Sequence, residues 1–348
     1  MTDTLLPRDA LFESGDTASS LPVCDHYCGT EPRMRKALAL QAELGPVFDI
    51  TFDCEDGAPI GAEAEHAQLC AELLMSSDNA FGRVGARVHP VDHPSFAADV
   101  DTLISRAGDR LAYLMVPKPR HLADLQRAIA QIEHAARVHG QGASLPVHAL
   151  VETHGALRDV FALAALPRIQ SLSFGLMDFV SAHRGAIPQT GMSAKGQFEH
   201  PLVVRAKLEI AAACHAAGKV PSHCVVTEFK DEKAVSAAAR RAAREFGYAR
   251  MWSIHPAQIQ PIVDAFSPSV AEVDEAIEII GAALAAHWAP IRHRDVLHDR
   301  ASYRYFWQVI ERACRTGQPL PTEVGLAFFG PSPSPSPSPG TDADDGAG

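Results

Sequence analysis

Seven short apolar runs of this chain end in polar residues of kinds that do chemistry. The run from Phe48 leads into Asp53-Cys54-Glu55-Asp56-Gly57, that from Val84 into Arg87-Val88-His89-Pro90, and that from Leu111 into Pro117-Lys118-Pro119. Further on come Glu152-Thr153-His154-Gly155, Gly175-Leu176-Met177-Asp178-Phe179, Thr227-Glu228 and Ser253-Ile254-His255-Pro256. One charge at the end of such a run is ordinarily a solvated loop residue. A ring of acids and bases on one face is harder to explain that way, because crowded like charges repel unless a cation or a function holds them. Glu152 and Asp178 are the sharpest pair. If their runs are neighbouring strands, about 4.8 Å apart, the two carboxylates can converge on one ion. An ion held by only two carboxylates, with water and substrate in its other positions, suits Mg2+. Spacing alone leaves open the plainer reading of two unrelated loop acids.

Such a ring needs strands that end on one side. Strands are expected near Leu21–Cys24, Phe48–Phe52, Val84–Val88, Leu111–Val116, Pro146–Val151, Ser171–Phe174, Ser222–Val226 and Arg250–Ile254. Helices are expected near 33–43, 61–75, 95–106, 121–138, 155–166, 200–217, 231–246 and 269–287. Gly218 and Gly247 sit where a left-handed residue would end a helix. Ser269 to Glu272 has capping-box spacing. Behind it Val273, Ile277, Ile280 and Leu284 form one apolar stripe, read as core packing. Eight strands alternating with eight helices predict an α/β fold, a (β/α)8 TIM barrel, with catalytic groups at the C-terminal strand ends. The competing open doubly wound sheet would carry a Gly-rich turn, and the chain has no G-x-G-x-x-G.

The expected division is a flexible tail over 1–20, a barrel catalytic domain over 21–290, a helical or lid segment over 291–329 and a disordered tail over 330–348. The last segment runs through PSPSPSPSPG to TDADDGAG, too polar to bury a core. Tyr303, Tyr305, Phe306 and Trp307 fall on an expected helix of the lid segment.

Composition narrows the function classes. The 348 residues are 47% hydrophobic and 21% charged, with 31 Lys+Arg against 42 Asp+Glu and a net charge of −11. That balance argues against nucleic acid as a partner. The apolar runs fall short of the roughly 20 residues a membrane span needs. Residues 1–20 lack the basic start and apolar core of a signal peptide, so a cytoplasmic location is expected. Seven scattered cysteines in a large chain read as reduced thiols. Cys24 and Cys28 flank His26, but no second ligand pair of zinc-like spacing follows, so they read as loop thiols.

At the strand ends the chain resembles the citrate lyase β-subunit and malyl-CoA lyase branch of the HpcH/HpaI aldolase superfamily. Asp53-Cys54-Glu55-Asp56-Gly57 resembles its D-L-E-D-(S/A/G) motif, Arg87-Val88-His89-Pro90 its R-(V/I)-N-P, and Pro117-Lys118 its P-K. Glu152-Thr153-His154-Gly155 and Phe174-Gly175-Leu176-Met177-Asp178 resemble E-T-x-x-G and F-G-x-x-D. Ile254-His255-Pro256-Ala257-Gln258-Ile259 resembles I-H-P-x-Q-I, and Phe266-Ser267-Pro268 the F-(T/S)-P after it. The matches keep the family's order over roughly residues 45–287.

This resemblance implies a TIM barrel in homotrimers or homohexamers, with Glu152 and Asp178 as Mg2+ ligands. It implies that Arg87 holds the oxygen of the oxo-acid fragment, with Gly175 and Met177 also at the substrate. Glu55 and Asp56 would form a second acidic cluster ordered by Lys118. The implied reaction cleaves or forms a 3-hydroxyacyl-CoA thioester such as malyl-, methylmalyl-, citramalyl- or citryl-CoA. Its other partners are an acyl-CoA and a 2-oxo acid.

Three departures stand out. The family's N-terminal R-S-x-L-(F/Y)-V-P-(G/A) strand, which helps bind CoA, is replaced by Leu21 to Gly29, leaving Arg33, Arg35 and Lys36 for phosphates or for solvent. His89 stands in place of Asn and brings a titratable group. The acid that a C-terminal lid supplies in related lyases falls on either Asp295 or Asp299, or on neither. Two other classes stay open: a metal-dependent aldolase or thioesterase of the same superfamily, and a non-catalytic scaffold. The scaffold has no need of Arg87, Glu152 and Asp178 together. His154 and His255 read as structural, since hard Mg2+ prefers oxygen.

Overall fold

The computed structural model describes residues 5–13, 21–141 and 145–330. Most of the two expected tails, at 1–4, 14–20 and 331–348, therefore lies outside the described residues. Between the first two gaps a flexible tail was expected, but Pro7–Leu11 forms a short helix and Leu11 is buried. Of the described residues, those within 21–267 form one compact unit together with 315–318, and 5–13, 268–314 and 319–330 form another.

The first unit is a closed barrel of eight parallel strands. They are β1 (Cys24–Cys28), β2 (Phe48–Asp53), β3 (Val84–Arg87), β4 (Leu114–Val116), β5 (Val147–Val151), β6 (Ile169–Phe174), β7 (Val220–His223) and β8 (Arg250–Ser253). They pair in sequence order, and β8 closes on β1 with Cys24 opposite Met251. Helices follow the strands as expected, with two local differences. The helix expected over 155–166 is broken into His154–Arg158 and Val160–Ala164. The Asp159 carboxylate at that break accepts the Leu122 N–H at 3.1 Å. The helix after β8 within this unit is Ile259–Phe266, whereas Val270–Ala285 belongs to the second unit. Gly218 and Gly247 take φ of +65° and +71°, as their helix-ending role requires.

Alternation along the strands divides the core into two layers. Cys24, Cys28, Phe48, Ile50, Phe52, Val84 and Ala86 join the apolar cluster shared with the surrounding helices. Cys24 and Cys28 are therefore strand residues in the core, not loop thiols, and His26 Nδ1 lies 2.7 Å from Ser253 Oγ. The inner face is polar. Arg250, fully buried, lies 3.2 Å from Asp25 and 2.8 Å from Asp49, themselves buried. Thr51 and Tyr113 donate to Asp25 at 2.7 and 3.1 Å. Two residues further along their strands, Tyr27, Met115, Leu150 and Trp252 form a small apolar cluster. It separates the buried charges from the strand ends.

Burial pushes the Asp49 carboxyl up to about 6 despite the neighbouring guanidinium. Arg250→Met would leave Asp25 without a cation and Asp49 with only Arg83, 3.9 Å away. The expected cost is roughly 3–5 kcal/mol, read by urea unfolding. The variant should regain stability as pH falls and the acids protonate. A loss below about 1 kcal/mol would refute a structural role for this triad.

The second unit holds the helices Val270–Ala285, Arg300–Arg315 (its last residue excepted) and Thr322–Phe329, and a hairpin of β9 (Ile291–His293) with β10 (Val296–His298). The Ser269–Glu272 capping box forms, with the Ser269 N–H donating to Glu272 at 2.7 Å. Val273 and Ile280 of the expected stripe are buried, with Ile277 and Leu284 packed against the same cluster. Tyr303 and Trp307 anchor it, while Tyr305 is exposed. Among the described residues no helix is long and apolar enough to cross a membrane.

Candidate active site

The C-terminal strand ends enclose a cavity of about 380 Å3. Asp53, Asp56, Arg87, Glu152, Gly175, Met177 and Asp178 all line it. Tyr27 and Trp252 lie on its wall, stacked with ring centroids 4.2 Å apart, and the Arg87 guanidinium sits 5.6 Å from the Tyr27 ring.

Arg87, the last residue of β3, is opposite Asp53, the last of β2. The pairing is a fork: Nε and Nη2 donate to the two Asp53 oxygens at 2.7 and 2.5 Å. Nη1 lies 3.0 Å from Glu55. Asp53 also accepts the backbone N–H groups of Glu55 and Gly57 at 3.0 and 2.8 Å, folding the acidic loop back over the strand. Burial alone would raise the Asp53 carboxyl, but Arg87 beside it holds it below its ordinary value. Arg87 is thus fixed on two sides and stays charged.

Lys118 follows β4 with a left-handed φ of 51°, an uncommon conformation for a side-chain-bearing residue. This turn splits its two donors. The backbone N–H meets Glu152 Oε1 at 2.7 Å, while Nζ reaches Glu55 at 2.5 Å and Asp56 at 2.8 Å. Nζ also lies 3.8 Å from Asp178. Lys118 thus contacts both Glu55 and Asp56 of the acidic loop.

Glu152 stands one residue beyond β5 and is only 3% exposed. Gly175, beyond neighbouring β6, lies so close that a Cβ there would fall 2.1 Å from Glu152 Oε2. Asp178 lies in the first turn of the short helix Leu176–Ala182. Burial, then the nearby Asp178 charge, pushes Glu152 up to about 8. It accepts the Lys118 backbone N–H, and among the described residues no side-chain cation is paired with it. A buried carboxylate beside a second one, in a cavity whose acidic donors are all oxygen, fits a hard divalent cation. Glu152 and Asp178 are the residues that would hold it.

His89 turns to Asp99 at 2.6 Å and stacks on His93, so its ring is engaged in the loop. His154 and His183 line a separate cleft and contact each other edge to face. His255 caps the turn at Pro256, as a structural residue should. Arg33 lines the cavity, whereas Arg35 pairs with Glu31 at 2.8 Å. Asp295 pairs with Arg292 on the β9–β10 turn, and Asp299 accepts the Ala301 N–H at 2.9 Å at the head of a helix. Sequence reasoning missed Asp53 as the partner of Arg87, and missed Tyr27 and Trp252. Only Asp53 carried a signal, being an acid that ends an apolar run.

The profile of the HpcH/HpaI aldolase/citrate lyase family matches residues 35–256. The crystal structure of a citrate lyase from Burkholderia xenovorans LB400 is 55% identical, with a TM-score of 0.81, covering 94% of this chain and 99% of that one. An L-malyl-CoA/beta-methylmalyl-CoA lyase of Cereibacter sphaeroides is 29% identical over 268 residues, covering 73% of this chain and 83% of that protein. Protein CitE from Mycobacterium tuberculosis, solved with magnesium, acetoacetate and coenzyme A, shares the fold at 19% identity. Its TM-score is 0.64, covering 85% of this chain and 100% of that one.

Proposed function

Because this chain belongs to the HpcH/HpaI aldolase/citrate lyase family, we propose that it is a Mg2+-dependent carbon–carbon lyase. It cleaves or forms a 3-hydroxyacyl-CoA thioester of the malyl, methylmalyl, citramalyl or citryl kind, with an acyl-CoA and a 2-oxo acid on the other side. One observation carries the reading: the buried Glu152 carboxylate and Asp178 share a cavity with the doubly held Arg87.

Glu152 and Asp178 hold the ion. When bound, Mg2+ supplies Lewis acidity toward the oxygen that becomes the oxo-acid carbonyl. Arg87 cannot swing, since Asp53 and Glu55 grip its guanidinium. Its charge is therefore in place before the reaction, where a fixed cation stabilises charge most effectively. Asp56 lies on the cavity wall and is half-exposed, so it can exchange a proton with the substrate hydroxyl. Lys118 orients it. Gly175 and Met177 shape the wall beside the reacting atoms. Arg33, on the same wall, faces the phosphates of the thioester carrier. The enzyme is cytoplasmic and works as a homotrimer or homohexamer, which light scattering of the purified protein would check.

The test is a panel of 3-hydroxyacyl-CoA thioesters incubated with Mg2+ or with EDTA. The oxo acid is trapped by phenylhydrazine and free thiol is read in parallel. Oxo acid that depends on Mg2+ and appears without free thiol is the expected result. Free thiol alone would assign a thioesterase, and free thiol together with oxo acid a lyase with accompanying thioesterase activity. Silence across the panel would move the activity to free 2-oxo-4-hydroxy acids. Asp56→Asn should lower kcat at least tenfold; a loss confined to Asp295→Asn or Asp299→Asn would give the proton to that acid instead.

A further inference from the structure

A second cluster of ligating side chains lies outside the cavity chemistry. Cys54 follows β2, and His66 and Cys70 lie four residues apart on the helix Glu63–Met75, hence on one face. Among the described residues, this is the group of His, Cys and carboxylate side chains whose ligand atoms all lie within 4.8 Å of one another. All three residues are buried. We propose that Cys54, His66 and Cys70 form a binding site for one thiophilic divalent ion of the zinc class.

Two features carry this beyond the packing of core thiols. The two sulfurs are 3.8 Å apart. Two thiolates on one tetrahedral zinc, each at about 2.3 Å, stand roughly 3.8 Å apart, whereas a disulfide needs about 2.05 Å. Second, His66 Nε2 lies 2.8 Å from the Asp53 carbonyl oxygen. A proton on Nε2 donated to that oxygen leaves the other ring nitrogen with its lone pair. A backbone carbonyl holding the far side of the ring is the usual support of a metal-binding His.

Three protein ligands leave a fourth position for water. The soft donors also separate this site from the oxygen set at Glu152 and Asp178, which suits a harder ion. The position gives the ion a use. Cys54 sits within the acidic loop, and the His66 ring is bonded to the carbonyl of Asp53, the residue that holds Arg87. An ion here ties the end of β2 to the following helix beneath the loop. Its role is to position Arg87 through Asp53, with no contact to substrate.

The test uses the full-length protein, reduced, stripped with a chelator and titrated anaerobically with Co2+. A thiolate-to-cobalt charge-transfer band that saturates at one equivalent and is displaced by Zn2+ is expected. Cys54→Ser and Cys70→Ser should each lose the band, and His66→Gln, which leaves both thiols in place, should weaken the titration. Circular dichroism confirms that each variant is folded. Glu152→Gln should keep the band, which separates this site from the proposed Mg2+ site. No band with the unaltered chain would overturn the proposal, as would a band that survives in both cysteine variants. Loss of two hydrogens on peroxide treatment without any Co2+ band would assign a redox thiol pair instead.

Discussion

Glu152→Gln abolishes the response to Mg2+ and, in the ion-free protein, raises the melting temperature by an amount that grows from about pH 5 and levels off above about pH 8. Both effects follow from one buried carboxylate. In the unfolded chain a Glu titrates near 4.3. Folded, Glu152 is pushed up to about 8 by burial and by Asp178. Between those values the folded state holds a proton that the unfolded state has released. Stability from this group is therefore complete below the unfolded value and is lost as pH rises through the folded one. The loss is on the order of a few kcal/mol once Glu152 is ionised and unpaired. Glutamine has the same shape and no charge to bury, so the variant escapes it. It also removes the ligand, so added Mg2+ no longer shifts the melting temperature, and activity falls by roughly a thousandfold or more. Thermal scans from pH 6 to 9, with and without Mg2+, separate the two effects. A variant that still responds to Mg2+ would sink the metal assignment. A variant less stable than the parent at every pH would show that the carboxylate is held by something other than the ion. Asp178→Asn should lose the Mg2+ response with a smaller change in ion-free stability, because Asp178 is half-exposed.

Arg87→Lys lowers kcat by roughly 10²–10³-fold while leaving the Mg2+-induced shift in melting temperature in place. Lysine keeps the charge but not the fork, and the site uses the fork. Nε and Nη2 meet both oxygens of Asp53 while Nη1 meets Glu55. A single ammonium can satisfy one of these acids well, not both at those angles. It is then drawn toward one side and away from the substrate oxygen. Arg87→Ala is the less informative variant, because it leaves Asp53 and Glu55 buried without a cation and costs stability as well. Full kcat in Arg87→Lys would remove Arg87 from the charge-stabilising role.

How much of this was legible beforehand depends on which face of a strand is apolar. Strands β2 to β6 were placed within a few residues, because their outward residues are β-branched or aromatic and set them apart from helix. The strand read least well carries polar inner residues. Strand β1 was expected over Leu21–Cys24 but runs Cys24–Cys28, since Asp25 and His26 break the apolar run. Strand β7 was expected over Ser222–Val226 and runs Val220–His223; polarity does not account for that shift, since Ser222 and His223 lie in both spans. A polar barrel interior looks like loop in sequence. The same polarity made the site readable: Arg87, Lys118, Glu152 and Asp178 are charges that nothing in a core explains. Tyr27 and Trp252 had no such signal, because an aromatic residue in a strand looks the same whether it packs a core or lines a cavity. The Asp53–Arg87 fork needed the β2–β3 register, which one sequence does not carry.

The Arg250 triad has a consequence for how the chain is made. Asp25 and Asp49 leave the ribosome with the first two strands, and their cation follows only with the last. Until β8 arrives, the nascent barrel holds two inward acids with only Arg83, 3.9 Å from Asp49, to offset them, so a seven-strand sheet has reason to stay open and wet. A one-residue slip at the closing seam would point Arg250 outward, into the apolar layer against the helices. Arrival of the eighth strand in the correct register thus does two things at once: it closes the sheet and discharges its interior. The seam between the oldest and the youngest strand becomes a proofreading step in synthesis.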